Sequence, residues 1–266
     1  MIDVIQSVGF YSWWMFDSSL GNWTDDIKVF GNVEEAVLLS DCKDEGAPYD
    51  SRLRLRTKKE QINAFQSISG SEYAALANAY GFEAAQDDHE KWATVVRNFV
   101  NDARYALWTQ ELWRRINSAS DTSTATGRGT GVTCKAYLCF YDEVNPFGPW
   151  PSLGYPVAHH AVDLLATFGG YDDKVNIATK EAGRLLRGKW IKFINGEEPW
   201  PSDMIYCIGP DGQNGPIPAA EELDLEDQSR STTRRRQANF QVLKKIGIDS
   251  LTRIWQKLLP TVGVDS

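Results

Sequence analysis

Two short segments contain residues of the types that make an acid–base pair. Glu45 follows the apolar run at 36–39, and Gly46 permits a tight turn directly beyond this strand-like segment. His159 and His160 follow a second strand-like run and a loop rich in Pro and Gly. A carboxylate that accepts an imidazole N–H orients the ring and stabilises its protonated form, which is the chemistry of general base catalysis.

Glu45 and His160 also stand in the order of the last two members of a catalytic triad. In α/β-hydrolases the triad runs Ser, then Asp or Glu, then His, and each residue lies on a loop at the carboxyl edge of the sheet. The Gly-x-Ser-x-Gly motif that provides the nucleophile does not occur in the 266 residues. The sequence therefore predicts an acid and a base without their serine.

Plainer roles for the same residues stay open at the level of sequence. Glu45 is also explained as a solvated turn residue, and one of the two imidazoles as the hydrogen-bond partner of a backbone carbonyl. A metal site through His159, His160 and Asp163 is a third alternative, although adjacent histidines in a loop seldom face one ion. His89 lies among acids at the start of a helix, which is typical of a surface residue.

Four segments occur in the same order as in a known enzyme family. They are VLLSDCKDEG at 37–46, YLCFYDEVNP at 137–146, HAVDLLATFG at 160–169, and WIKF at 190–193 followed by PWP at 199–201. Together they resemble the C-terminal half of the type B carboxylesterases, the group that includes cholinesterases and many fungal esterases and lipases. The resemblance spans about residues 37–201, and the sequence around the two histidines is closest to fungal members.

The resemblance implies a serine esterase that cleaves a small-molecule carboxylic ester through an acyl-enzyme, with no cofactor and no metal. In this family's pattern Glu45 is the acid and His160 is the base. The base is assigned to His160 and not to His159 because of its distance from Phe168-Gly169. Ala161 stands where the family has another small residue after the histidine, which is a mild change.

The family's N-terminal half, with the serine and the oxyanion donors, has no counterpart in these residues. We therefore expect a fragment of a full enzyme that is inactive alone. Such a chain is completed by further polypeptide, for example a separately encoded N-terminal half.

Two non-catalytic interpretations compete with this one. The chain is alternatively an α/β-hydrolase-like binding or interaction protein, since the same family includes adhesion proteins without a working triad. A weaker alternative is a small-molecule binding protein that uses the aromatic loop at 145–155. The presence of both Glu45 and His160 favours descent from an active enzyme, because a binding module needs neither.

Charge and composition exclude other classes. The net charge is −8, with 36 acidic and 28 basic residues, which argues against a nucleic-acid binder with a basic face. The run Arg234-Arg235-Arg236 follows an acidic stretch at 221–227, and we expect the two to neutralise each other on a solvated surface. The four cysteines have no zinc-ligand spacing and are predicted to be buried thiols.

The sequence also carries signals about membranes and location. No apolar run approaches the ~20 residues of a membrane-spanning helix, so no membrane span is predicted. The N-terminal residues lack the pattern of a signal peptide. As it stands the chain is expected to be cytoplasmic, and secretion is expected instead if the true N-terminus lies upstream.

Strands that alternate with helices indicate an α/β fold with a mostly parallel sheet. Strands are predicted at 36–39, 132–141 and 204–208. Amphipathic helices are predicted at 88–116, 176–194 and 234–259, with two short helices within 59–80. So few strands indicate a partial α/β-hydrolase fold that holds only the C-terminal strands and helices of the central sheet.

Three regions are predicted along the chain. Residues 1–208 are the C-terminal portion of a carboxylesterase domain, with a flexible polar insert at about 118–131. Residues 209–233 are predicted to be a polar linker, and residues 234–266 a C-terminal amphipathic helix and tail.

Overall fold

A four-stranded sheet forms the centre of the molecule. The computed structural model describes residues 36–125, 134–210, 212–222 and 234–259, so the aromatic segment at 1–35 lies outside the described residues. The strands, in sheet order, are β1 (Val37–Cys42), β2 (Ala136–Tyr141), β3 (Met204–Ile208) and β4 (Gly215–Pro218). β1, β2 and β3 are parallel, and β4 runs antiparallel to β3. The sheet and its helices form an α/β arrangement, as predicted.

The described helices follow the strands in a mixed order. They are α1 (Asp50–Leu53), α2 (Lys58–Phe65), α3 (Gly70–Tyr80), α4 (Phe82–Ala85), α5 (His89–Asn101), α6 (Leu107–Ala125), α7 (Val162–Phe168), α8 (Ile177–Ile194), α9 (Ala219–Glu222), α10 (Gln237–Ile246) and α11 (Ile248–Leu258). Ser69 and Glu72 form a capping box at the start of α3. This cap explains the predicted break near Ser69-Gly70, which is confirmed.

Both faces of the sheet are covered by helices. Successive side chains of β2 point to opposite faces, and all six of its residues are buried. Tyr137, Cys139 and Tyr141 belong to an apolar cluster with residues of α7 and α8. Leu138 and Phe140 face the other side, where they cluster with residues of α6. A strand buried on both faces reads as a continuous apolar run, which is why β2 was visible in the sequence.

A third apolar cluster lies beside the sheet. It is built from α2 to α5, the segment after α5, and the C-terminal helices α10 and α11, and includes Phe65, Leu76, Phe99, Phe240 and Ile254. Gly247 separates α10 from α11 with a φ of 79°, where a single helix at 234–259 was predicted. A positive φ is incompatible with a continuing right-handed helix, so the predicted weak point is a break.

The predicted helix at 88–116 contains an irregular turn. α5 passes at Asp102–Ala106 into a π-helical segment and then directly into α6. α6 continues to Ala125, so the first part of the insert predicted at about 118–131 is helical. Residues 126–131 of that insert lie outside the described residues. Ser and Thr at 118–125 reduce helix propensity, but a helix already started in the core extends through them at small cost.

Two surface predictions near the C-terminus need correction. Residues 215–222 form β4 and α9, within the stretch predicted as a polar linker at 209–233. Arg235 is buried rather than solvated, and its described acidic partners are Asp41 and Asp142. The prediction weighed acids that are near in the sequence, of which those at 224–227 lie outside the described residues, whereas the described pairs are formed by acids that are distant in the sequence.

The four cysteines are free and buried, as predicted. Cys42, Cys139 and Cys207 lie within strands, and Cys134 lies just before β2. Within the described part of the chain, the search for a helix both long and apolar enough to cross a bilayer finds none.

Candidate active site

Glu45 and His160 lie on loops that leave the same edge of the sheet. The first loop follows β1, and the second belongs to the connection that follows β2. Asp44 N–H donates to the Ala158 carbonyl at 2.8 Å, and Asp44 forms an isolated parallel bridge with His159. Glu45 and His160 are each one residue beyond this bridge, which brings the two side chains together.

The two side chains form a short hydrogen bond. His160 Nδ1 lies 2.6 Å from Glu45 Oε2, and Glu45 Oε1 accepts the Cys42 backbone N–H at 2.8 Å. An ionised carboxylate only accepts hydrogen bonds, so Nδ1 carries the proton and Nε2 has the free lone pair. Glu45 is buried, whereas the His160 side chain is 47% exposed. None of the described residues hydrogen-bonds Nε2.

The carboxylate makes the imidazole a stronger base. The hydrogen bond that His160 donates to Glu45 raises the pKa of His160 above its ordinary value, against the opposing effect of partial burial. Asp163 raises the pKa further and Arg104 lowers it. The arrangement can therefore take up a proton at Nε2 and hold the resulting positive charge against Glu45.

His159 has different partners from its neighbour. Its Nδ1 lies 2.8 Å from the His160 carbonyl oxygen, and its Nε2 lies 2.8 Å from Asn145 Nδ2. The ring packs on Trp150, with a centroid distance of 4.5 Å. Both ring nitrogens are thus engaged by the loop, and Glu45 contacts His160 instead.

The described residues do not assemble a metal site. Among them, no group of three His, Cys, Asp or Glu side chains is arranged to hold an ion. The alternative through His159, His160 and Asp163 therefore gains no support from the geometry. His89 is exposed beside Glu90, as predicted for a surface residue.

A second, half-buried acid interacts with both members of the pair. Asp163, in the first turn of α7, interacts with the Cys42 thiol. Burial raises the pKa of Asp163 to about 6, and the nearby charge of Glu45 adds to this. Burial also raises the pKa of the Cys42 thiol, so this sulfur is not a thiolate nucleophile. In the sequence, Asp163 was considered only as a metal ligand. Its position three residues after His160 was a signal that it could lie close to the pair.

The π-helical segment places Tyr105 against His160. The two rings are 5.6 Å apart between centroids, and Tyr105 Oη lies 2.8 Å from Tyr49 Oη. Sequence reasoning missed Tyr105 because a π turn shifts the helical face and leaves no signal in the spacing of apolar residues. π-helical turns are frequent at functional sites.

The loop that carries Glu45 approaches α5 closely. The Gly46 N–H donates to Asn101 Oδ1 at 3.3 Å. A Cβ at position 46 would lie 2.6 Å from the Arg97 carbonyl oxygen, closer than any side chain tolerates. Gly46 is therefore required by this close approach. On the other loop, Ala161 adopts a positive φ of 67°, which is uncommon for a residue with a Cβ.

The chain is distantly similar to a lipase. It is 27% identical over 167 residues to Lipase 3 of Yarrowia lipolytica. The aligned part covers 62% of this chain and 29% of that lipase, so the chain spans less than a third of the relative it matches. No protein-family profile matches the chain. This distant similarity supports, at a coarse level, a relationship of the chain to lipases and esterases.

Proposed function

We propose that this chain carries the acid and the base of a serine carboxylesterase of type B, with Glu45 as the acid and His160 as the base. The nucleophilic serine and the oxyanion donors come from polypeptide outside these 266 residues. The 2.6 Å contact between Glu45 and His160, with Nε2 left free, is the observation that carries the proposal. The distant relation to a lipase supports the same reaction class.

In the proposed reaction His160 Nε2 takes the proton from the serine as its oxygen attacks the ester carbonyl. Glu45 stabilises the imidazolium that forms and keeps Nδ1 protonated. His160 then returns the proton to the leaving alcohol, and the acyl-enzyme is hydrolysed by water in the same manner. Neither a metal nor a cofactor takes part in these steps.

The outer edge of β1 supports completion by a further strand. Val37 N–H donates to the Lys135 carbonyl at 2.8 Å, so the alternate residues Leu38 and Ser40 direct their backbone groups away from β2. No described strand pairs with this edge, and Ser40 Oγ is buried without a hydrogen-bond partner among the described residues. An unpaired strand edge binds other strands. The proposed occupant is the strand of the nucleophile-bearing segment.

Two measurements test the proposal. The 266-residue chain should hydrolyse p-nitrophenyl butyrate no faster than its His160→Gln variant, because losing the serine of a triad costs about a millionfold in kcat. Sequencing of the transcript upstream of the Met1 codon should find an in-frame Gly-x-Ser-x-Gly. Hydrolysis by the chain well above the His160→Gln background argues against the proposal. Ester turnover by a longer chain that has its reactive serine but in which Glu45 and His160 are replaced also argues against the proposal.

A second candidate function is small-molecule binding without catalysis. A small, partly open depression has Tyr141, Phe147, Val162 and Tyr171 among its lining residues, and Phe147 belongs to the aromatic loop at 145–155. Its apolar lining favours an apolar ligand. Binding of an apolar fluorescent probe that is lost in Phe147→Ala but kept in His160→Gln favours this candidate. Equal binding by both variants and the wild type argues against it.

A further inference from the structure

Three consecutive arginines reach three acids on three different elements. Arg234 donates to Asp142 at 2.8 Å, and Arg235 bridges Asp41 and Asp142. Arg236 donates to Asp102 of the π-helical segment. Asp41, Asp142 and Asp102 are all buried. The run therefore joins the end of β1, the end of β2 and the helix that packs against His160.

Arg235 lies between the ends of the two strands. Its Nε and Nη2 each lie 3.0 Å from an Asp41 carboxylate oxygen, and its Nη1 lies 2.7 Å from Asp142 Oδ1. The guanidinium also stacks on the Phe140 ring at 4.3 Å. A buried guanidinium is stable only when carboxylates neutralise it, and Asp41 and Asp142 provide this neutralisation for Arg235.

Both acids of this bridge lie close in sequence to the proposed catalytic loops. Asp41 is within β1, four positions before Glu45, and Asp142 directly follows β2. Because Arg235 holds these two strand ends together, it fixes the positions from which the Glu45 loop and the His160 loop leave the sheet.

Arg236 is connected to the same loops through Asp102. Its Nε and Nη2 lie 2.8 Å and 2.7 Å from the two carboxylate oxygens of Asp102. Asn101 contacts Asp102 through its side-chain amide at 3.3 Å, and its Oδ1 accepts the Gly46 N–H. The segment anchored by Asp102 also carries Tyr105, whose ring packs on His160.

We infer that Arg235 and Arg236 are positioning residues that hold Glu45 against His160, so that the segment starting at Arg234 acts as a clasp over the acid–base pair. Neither arginine contacts His160, and each acts through an acid of another element. The inference rests on the proposed function, because it deepens the account of the same site.

The test is an NMR titration of the His160 imidazole in the whole 266-residue chain. The variant Arg235→Met/Asp41→Asn leaves the net charge unchanged and leaves Asp142 paired with Arg234. The other titratable groups that face His160 are Asp163 from α7, and Arg104 and Tyr105 from the π-helical segment, and they stay in place. A lower pKa of His160 in this variant then reports a displaced Glu45.

In Arg235→Met/Asp41→Asn we expect the pKa of His160 to fall. The fall should be at least half of the difference between the pKa of His160 in the wild type and its pKa in Glu45→Gln. Arg235→Lys keeps the charge but cannot bridge Asp41 and Asp142 with a planar guanidinium. The pKa of His160 in this variant should therefore lie between the values in the wild type and in Arg235→Met/Asp41→Asn. The control Arg184→Met/Glu181→Gln removes an exposed pair of α8 and should change nothing.

Two outcomes separate the inference from the proposed function. A wild-type pKa for His160 equal to that of Glu45→Gln overturns the acid–base pair itself. A raised wild-type pKa that stays raised in Arg235→Met/Asp41→Asn overturns only the clasp. Should the double variant lose its cooperative unfolding transition, Arg236→Lys, at a side chain that is 34% exposed, is titrated in its place, with the same two outcomes.

Discussion

At the scale of the residue, one short contact distinguishes two adjacent histidines. Glu45 Oε2 lies 2.6 Å from His160 Nδ1, whereas the ring nitrogens of His159 bond to the His160 carbonyl oxygen and to Asn145. The bond to Glu45 raises the pKa of His160 above its ordinary value of 6.5. The contribution of the pair to the stability of the fold should therefore change with pH in a definite direction.

Glu45→Gln should destabilise the protein more at about pH 6 than at about pH 9. The pKa of His160 is higher in the folded than in the unfolded chain, so its stabilising contribution is complete below about 6.5. It is lost as the pH rises through the folded-state value. Thermal unfolding of both proteins across this range checks the prediction. A difference between them that is constant, or larger at high pH, contradicts it.

Ala161→Gly should stabilise the chain by roughly 0.5–1 kcal/mol, because the left-handed conformation strains a residue with a Cβ. Ala161 has a φ of 67° directly after His160. Chemical denaturation measures the change. Ala75→Gly, within α3, is the matched control and should cost about 1 kcal/mol. Destabilisation by both substitutions would show that Ala161 is unstrained.

At the scale of the element, the Glu45 loop depends on its packing against α5. Gly46→Ala should destabilise the protein by roughly 1–3 kcal/mol, because the new Cβ would lie 2.6 Å from the Arg97 carbonyl oxygen. Gly188→Ala, in α8, meets no atom within 4 Å and should instead stabilise by about 1 kcal/mol. Denaturant unfolding of the two variants checks the prediction, and equal effects would contradict the close approach.

Elements with strong local signals were predictable from the sequence. β2 lies within the apolar run predicted as a strand at 132–141, and the predicted break near Ser69-Gly70 coincides with the start of α3. The π-helical turn at Asp102–Ala106 and the strand β4 were missed. A π turn leaves no mark in apolar spacing, and β4 is a short edge strand with two prolines that reads as a loop.

At the scale of the whole molecule, the partners of charged residues depend on the folded chain. Glu45 and His160 were predicted as a pair because a family's motifs share their order, whereas the partners of Arg235 lie near the ends of two strands that are far from position 235 in the sequence. Local sequence favoured neutralisation by the acids at 221–227, and no spacing rule connects position 235 with position 41. The order of the described strands in the sheet was equally beyond local patterns.

The central claim is that His160, and not His159, is the base of an ester hydrolase whose serine lies outside these residues. The most direct test is kcat for p-nitrophenyl butyrate in the chain extended to include its Gly-x-Ser-x-Gly segment. We predict that His160→Gln lowers kcat by roughly 10⁴-fold or more, whereas His159→Gln retains most of it. Full activity in His160→Gln, or its loss only in His159→Gln, would contradict the account.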